Sequence, residues 1–132
     1  MPLTADDAFQ LARNFREVAK QVGDTRTGKW DTLTPDQRQT LENEEWDLLS
    51  SSMSMRTKAV GIVLEEAKTS LAKIVRVTDH ARKAIKTLEN VRAAIGIASA
   101  VVTLAAAILS KDPQAIAKAS QTLIGQVKEA IG

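Results

Sequence analysis

The segment Gly23 to Lys29 has the spacing of a phosphate-binding loop. Two glycines enclose four residues and a lysine follows, as in loops whose backbone amides hold a nucleotide phosphate. Trp30 stands where such loops place the serine or threonine that binds magnesium, and the segment follows a predicted helix instead of a strand. We therefore interpret it as a loop between helices and expect no nucleotide binding.

The other residues that could support catalysis or metal binding are few and scattered. The chain has one histidine, His80, and no cysteine, so a metal site would depend on carboxylates alone. The acidic cluster Glu42, Glu44, Glu45 and Asp47 lacks the histidine, three residues after a glutamate, that di-metal helical bundles use. We expect no enzymatic activity, no cofactor, no metal and no small-molecule substrate, and we expect the acidic cluster to pair with the basic half of the chain, residues 51 to 132.

The charges are distributed unevenly along the chain. Residues 1 to 50 carry ten acidic and six basic side chains, whereas residues 51 to 132 carry six acidic and twelve basic ones. The simplest interpretation is that the acidic half packs against the basic half. The alternative is that the basic half forms a surface that binds nucleic acid or anionic lipid. The basic run Lys68 to Arg92 contains no aromatic residue that could stack on bases, which disfavours nucleic-acid binding.

The elements that position these residues are predicted to be helices. Aromatic residues make up only 3% of a chain rich in alanine, leucine, lysine and glutamate. Capping signals open helices at Thr4, at Thr34-Pro35 and at Asp112-Pro113, and the serine-rich run 50–54 is the expected place for the second helix to end or bend. We predict one all-α domain over residues 1–132, with four or possibly five helices at about 5–22, 35–49, 55–110 and 113–131.

The tract 55–110 is the dominant feature of the predicted fold. Its first part shows apolar residues at alternating spacings of four and three, which is the heptad pattern of a coiled coil. The pattern shifts near Val91 and Arg92, so the tract either breaks near 90–96 or forms one long helix within an elongated bundle or coiled-coil-like hairpin. The candidate interaction residues on this heptad seam are Val60, Leu64, Leu71, Ile74, Ile85 and Leu88.

The last part of the tract, Ala93 to Ser110, contains no charged residue. Its apolar side chains form two rows on roughly opposite sides of the predicted helix, and a stripe of small residues between the rows would allow another helix to approach closely. The candidate membrane or oligomer contacts are Ile95, Ile97, Val101, Val102, Leu104, Ile108 and Leu109, and the small-residue stripe is Gly96, Ser99, Thr103 and Ala106.

Two functional hypotheses follow from this pattern. The first is a non-enzymatic assembly protein that binds its own copies or another helical protein through the heptad seam and residues 93–110. The layout from Val60 to Ile131 is also similar to that of helical pore-forming proteins, which hide an apolar segment until they meet a membrane. This similarity implies the alternative, a protein that inserts residues 93–110 conditionally into an anionic bilayer.

The expected location follows from the first residues. The acidic stretch from Met1 to Asp7 lacks the basic and apolar regions of a signal peptide. We therefore expect a cytoplasmic protein by default, with non-classical export and conditional membrane association both left open.

Overall fold

The computed structural model describes residues 5–58 and 71–131, and in these ranges the protein is all-helical. The α-helices are α1 (Ala5–Gly28), α2 (Pro35–Lys58), α3 (Leu71–Thr87), α4 (Val91–Ser110) and α5 (Pro113–Ile131). A short 3-10 turn, Trp30–Thr32, connects α1 to α2. The predicted all-α class is confirmed, and the described ranges contain five α-helices where we expected four or possibly five.

Helix α1 is longer than predicted because Gly23 does not end it. A Cβ atom at Gly23 would lie 2.5 Å from Oε2 of Glu45 on α2, so the glycine makes room for that carboxylate. Arg26 then donates a hydrogen bond to Oε1 of Glu45 at 3.1 Å, and Thr25 is buried. The segment that resembles a phosphate-binding loop is therefore mostly helical, and its interpretation as a loop between helices was wrong.

Helix α2 also continues through its serine-rich run, where we expected an end or a bend. Ser52 is buried, and its hydroxyl donates a hydrogen bond to the carbonyl of Leu49 at 2.9 Å. This bond lies within the helix, so the hydroxyl has a partner and does not act as a cap that ends the helix. Met55 is fully buried on the same face. The burial of this face continues the helix to Lys58, so Met55 belongs to α2 and does not begin a new tract.

The predicted tract 55–110 is not one helix. Residues 59–70 lie outside the described ranges, and α3 is separated from α4 by the break Leu88–Asn90, at the edge of the predicted position near 90–96. Lys29 donates a hydrogen bond from Nζ to the carbonyl of Leu88 just after α3. Asn90 then caps α4 by accepting the amide of Ala93 at 3.2 Å. These side chains satisfy backbone groups that a continuous helix would have paired internally.

Two of the predicted caps are present. The amide of Gln37 donates to Oγ1 of Thr34 at 3.1 Å, and the amide of Thr34 donates to Oε1 of Gln37 at 2.9 Å, which is a complete capping box. At α5, Oδ1 of Asp112 accepts the amide of Gln114 at 3.0 Å. The cap predicted at Thr4 lies outside the described residues.

The helices bury one shared core in which α4 is central. Helix α1 packs against α2 and α3, and α4 packs against α2, α3 and α5 and also touches α1. Helix α3 additionally packs against α5. Among the largest fully buried side chains are Leu11, Phe15, Leu41, Leu48, Ile74, Ile85, Ile97, Leu104, Ile108 and Ile116. Since every helix contributes to this core, the burial of α4 depends on all of the others.

The cap at Asn90 yields a stability prediction. Asn90→Ala removes the acceptor for the amide of Ala93, and we expect it to lower the free energy of unfolding by about 1 kcal/mol and the Tm by about 4 °C. Thermal unfolding followed by circular dichroism measures this change. Glu89→Ala, in the same exposed break, is the matched control and should leave the Tm within about 1 °C. Equal Tm values for the two variants would contradict a stabilising role for the cap.

Candidate functional site

The heptad seam on α3 is occupied by the core of the same chain. Ile74 and Ile85 are fully buried, and Leu71 and Leu88 are half-buried against the core. Val60 and Leu64, also predicted for this seam, lie outside the described residues. The described part of the seam thus offers a neighbouring molecule little apolar surface.

Helix α4 carries two faces with different surroundings. The inner row is buried, and it consists of Ile97, Val101, Leu104 and Ile108. The other predicted row lies at the edge of the core, where Ala98 and Ala105 are buried and Ile95, Val102 and Leu109 are half-buried. The row that continues the heptad pattern of the preceding helix is therefore only partly turned towards solvent.

The exposed side of α4 forms a continuous uncharged surface, which we call the α4 outer face. It consists of Ile95, Ser99, Val102, Ala106 and Leu109, again at alternating spacings of four and three. Ser99 and Ala106 are exposed, as is the neighbouring Thr103, and Gly96 is half-buried. The predicted stripe of small residues thus lies at the surface of the protein.

A groove runs between this surface and α5. It has a volume of about 550 Å³, and its α4 wall includes Ser99, Thr103 and Ala106. On α5 the lining includes Ala115 and Thr122, with Lys118 and Gln126 as its larger polar members. The groove stays open because small side chains on both helices leave space between two closely packed backbones.

Helix α4 also meets the length and composition of a membrane span. Its 20 residues correspond to about 30 Å of helix, close to the hydrocarbon thickness of a bilayer. Its mean hydropathy reaches 2.2 over an 18-residue window, and half of that window is buried inside the protein. The exposed side chains of Arg92 and Lys111 bracket the uncharged stretch. A core helix of a soluble protein shares these properties, so they do not decide between protein and lipid surroundings.

The acidic cluster on α2 is arranged differently from the sequence expectation. Glu45 pairs with Arg26, which belongs to the same acidic half of the chain, instead of with the basic half. Glu44 is only 7% exposed, and its Oε1 has no hydrogen-bond partner among the described residues. Burial, together with the negative charge of Asp47, raises the pKa of the Glu44 carboxyl from 4.5 to about 8.

The burial of Glu44 could have been found in the sequence. Leu41, Glu44, Leu48 and Met55 fall on one helical face, and the three apolar members are fully buried. The signal was therefore the position of Glu44 within an apolar stripe of α2.

The remaining chemistry-bearing residues do not converge on a site. His80 is exposed on α3, and the described residues contain no group of three or more histidine, aspartate or glutamate side chains that could hold a metal ion. Trp46 and Met53, which the sequence analysis did not single out, are exposed on α2 by 64% and 65%. The outer faces of the helices, more than any polar cluster, are the candidate functional surfaces.

Comparison with known proteins adds no family. No protein-family model matches the chain, and neither a curated protein nor a solved structure matches it significantly. The functional argument therefore depends on the surfaces described above.

The carboxyl of Glu44 predicts how stability changes with pH. The folded protein keeps this proton up to about pH 8, whereas a hydrated glutamate loses it near pH 4.5. Its contribution to stability is therefore complete below pH 4.5 and is lost as the pH rises towards 8. We expect Glu44→Gln to exceed the wild type in free energy of unfolding above pH 8, by on the order of 3–5 kcal/mol.

Urea unfolding of both proteins between pH 4 and pH 9 tests this prediction, and the gap should close towards acidic pH. Asp47→Asn is a graded control. It removes only the smaller of the two causes of the raised pKa of Glu44. We therefore expect it to restore a smaller part of the stability that the wild type loses at alkaline pH. A gap between wild type and Glu44→Gln that does not change with pH would contradict the proposed burial of a neutral carboxyl group.

Proposed function

We propose that this protein is a non-enzymatic assembly protein that associates with further copies of itself through the α4 outer face. The observation that carries the proposal is that this face is partly exposed, with Ser99 and Ala106 at the surface, and that no charged residue occurs from Ala93 to Ser110. Two identical uncharged faces can meet without repulsion, and side chains as small as Ser99 and Ala106 let helices approach closely.

The heptad spacing of the outer face supports helix-to-helix contact. Ile95, Val102 and Leu109 follow one another at intervals of one heptad, and Ser99 and Ala106 occupy the positions between them. In a helical pair these positions alternate as knobs and holes. The adjoining groove between α4 and α5 offers further space for side chains of a second copy. A dimer or larger helical bundle formed in this way needs no rearrangement of the fold.

Membrane activity is the second candidate, because α4 has the length and hydropathy of a membrane span. This function requires a larger change than assembly does. Transfer of α4 into lipid would take Ile97, Val101, Leu104 and Ile108 out of the protein core. These side chains would stay in apolar surroundings, but the core side chains of the other helices would lose the helix that covers them and would meet water. Assembly is favoured because the outer face can be used without opening the core.

A charge placed in the outer face tests the assembly proposal. Ala106 is exposed, so Ala106→Glu should fold normally while putting two like charges into the contact between copies. We expect the wild type to be a dimer or larger at micromolar concentration and the variant to have a dissociation constant at least about tenfold higher. Sedimentation equilibrium measures both. Gln121→Glu, an exposed residue of α5 outside the groove, is the control of equal charge.

A second measurement separates assembly from membrane activity. Vesicles of phosphatidylglycerol, floated in a density gradient with the wild-type protein at neutral and mildly acidic pH, report lipid association. We expect the protein to remain at the bottom of the gradient. Flotation with dye release, both abolished by Val102→Asp, would instead favour membrane insertion. A wild type that sediments as a monomer at high micromolar concentration contradicts assembly through α4.

A further inference from the structure

Trp46 is exposed in a way that core packing does not explain. It is 64% exposed on α2, and Met53, one heptad further along the same face, is 65% exposed. Trp46 is flanked by the acidic side chains of Glu42 and Asp47, of which Asp47 is exposed and Glu42 half-buried. Tryptophan is the residue type most enriched among side chains that dominate binding energy at interfaces. This face is therefore an apolar knob with an acidic rim.

A groove of matching character lies between α1 and α3. Its volume is about 400 Å³, and its apolar lining consists of Leu71, Ala72 and Val75. Asn14 lies in the groove and donates a hydrogen bond from Nδ2 to Oγ1 of Thr78 at 3.2 Å. Arg76 also lines the groove, and its side chain is exposed. The groove can therefore surround an aromatic ring with apolar atoms and place a guanidinium group beside it.

Polar groups of the groove suit an indole ring in particular. The N–H group of a buried tryptophan requires an acceptor. Asp79 lines the groove and supplies carboxylate oxygens, although it also pairs with Arg82 at 2.9 Å and with Lys83 at 3.2 Å. Those pairs hold the pKa of Asp79 below its ordinary value, so the carboxylate is ionised and stays an acceptor. An aliphatic side chain would leave this acceptor unused.

The charges around the two surfaces are complementary. Glu42 and Asp47 flank the knob, whereas the exposed side chain of Arg76 lines the α3 side of the groove. A stacking contact between an arginine and a tryptophan already occurs within the chain, because the guanidinium of Arg38 lies 4.4 Å from the centre of the Trp30 ring. Complementary charge both orients such an encounter and opposes the reversed arrangement.

The knob and the groove of one chain lie on different helices. The knob is on α2, whereas the groove is lined by α1 and α3, and none of the described residues of α2 lines it. Trp46 therefore does not fill the groove of its own chain, and the groove is open to the Trp46 of a second copy.

We propose that Trp46 of one chain inserts into the groove between α1 and α3 of a second copy and stacks against its Arg76. This contact joins two different surfaces, so each added copy presents a new knob and a new groove, and the assembly grows head to tail. It does not depend on the α4 outer face. A chain that uses both contacts forms branched or layered assemblies, whereas either contact alone gives a simpler product.

The test uses full-length chains that all carry Ala106→Glu, so that association through the α4 outer face is weakened to the same extent in every sample. In this background Trp46→Gln removes the knob and Arg76→Glu reverses the charge at the groove, and both residues are exposed, so folding should be unaffected. Gln39→Ala, on the same exposed side of α2, and Lys128→Glu, on α5, are the matched controls. Sedimentation velocity at low and high salt measures association, and circular dichroism checks the fold.

We expect the background chain to form larger species as its concentration rises, with weaker association at high salt. Each of Trp46→Gln and Arg76→Glu should raise the dissociation constant by about thirtyfold, while the controls leave it unchanged. The decisive sample is an equimolar mixture of the two variants. The Arg76→Glu chain retains a knob and the Trp46→Gln chain retains a groove, so the mixture should yield a heterodimer and nothing larger.

Two outcomes would overturn the proposal. One is a background chain that stays monomeric at high micromolar concentration and low salt. The other is a mixture that gives no heterodimer although each variant alone is folded. Neither outcome contradicts assembly through the α4 outer face, because every chain in this test carries Ala106→Glu and the wild-type chain tests that face separately.

Discussion

The packing of α4 is the constraint on which the structure depends. Its residues from Ala93 to Ser110 carry no charge, so water is a poor environment for most of its circumference. The four other helices cover the inner row, from Ile97 to Ile108, and leave Ile95, Val102 and Leu109 at the edge of the core. A chain of this length therefore buries about half of its most apolar helix, and this incomplete cover gives α4 its functional interest.

Electrostatics shape the surroundings of this core in two ways. Pairing within the acidic half of the chain, as between Arg26 and Glu45, joins α1 to α2. Glu44 is enclosed on the same helix as a carboxyl group that is neutral at physiological pH, because its desolvation outweighs the tendency to ionise. Other charged side chains, such as Asp47 beside Trp46 and Arg76 on α3, are left at the surface.

Several details of the fold could be predicted because they depend on neighbouring residues. The capping box of Thr34 and Gln37 and the cap at Asp112 are local arrangements, and both were identified from spacing alone. Gly23 and the serine-rich run were misjudged for the opposite reason. Each would end an isolated helix, but contact with another helix, through Glu45 in one case and the buried face of Ser52 and Met55 in the other, prolongs it.

The amino-acid sequence by itself determined the helical class, the start of α2 and of α5, the uncharged character of residues 93–110 and the absence of a recognisable catalytic motif. These properties follow from residue type and short-range spacing. Only the tertiary structure decided which positions of α4 are buried, that Glu44 is enclosed and that Trp46 is exposed. Two apolar rows on one helix are nearly equivalent in sequence, and their difference arises only when other helices cover one of them.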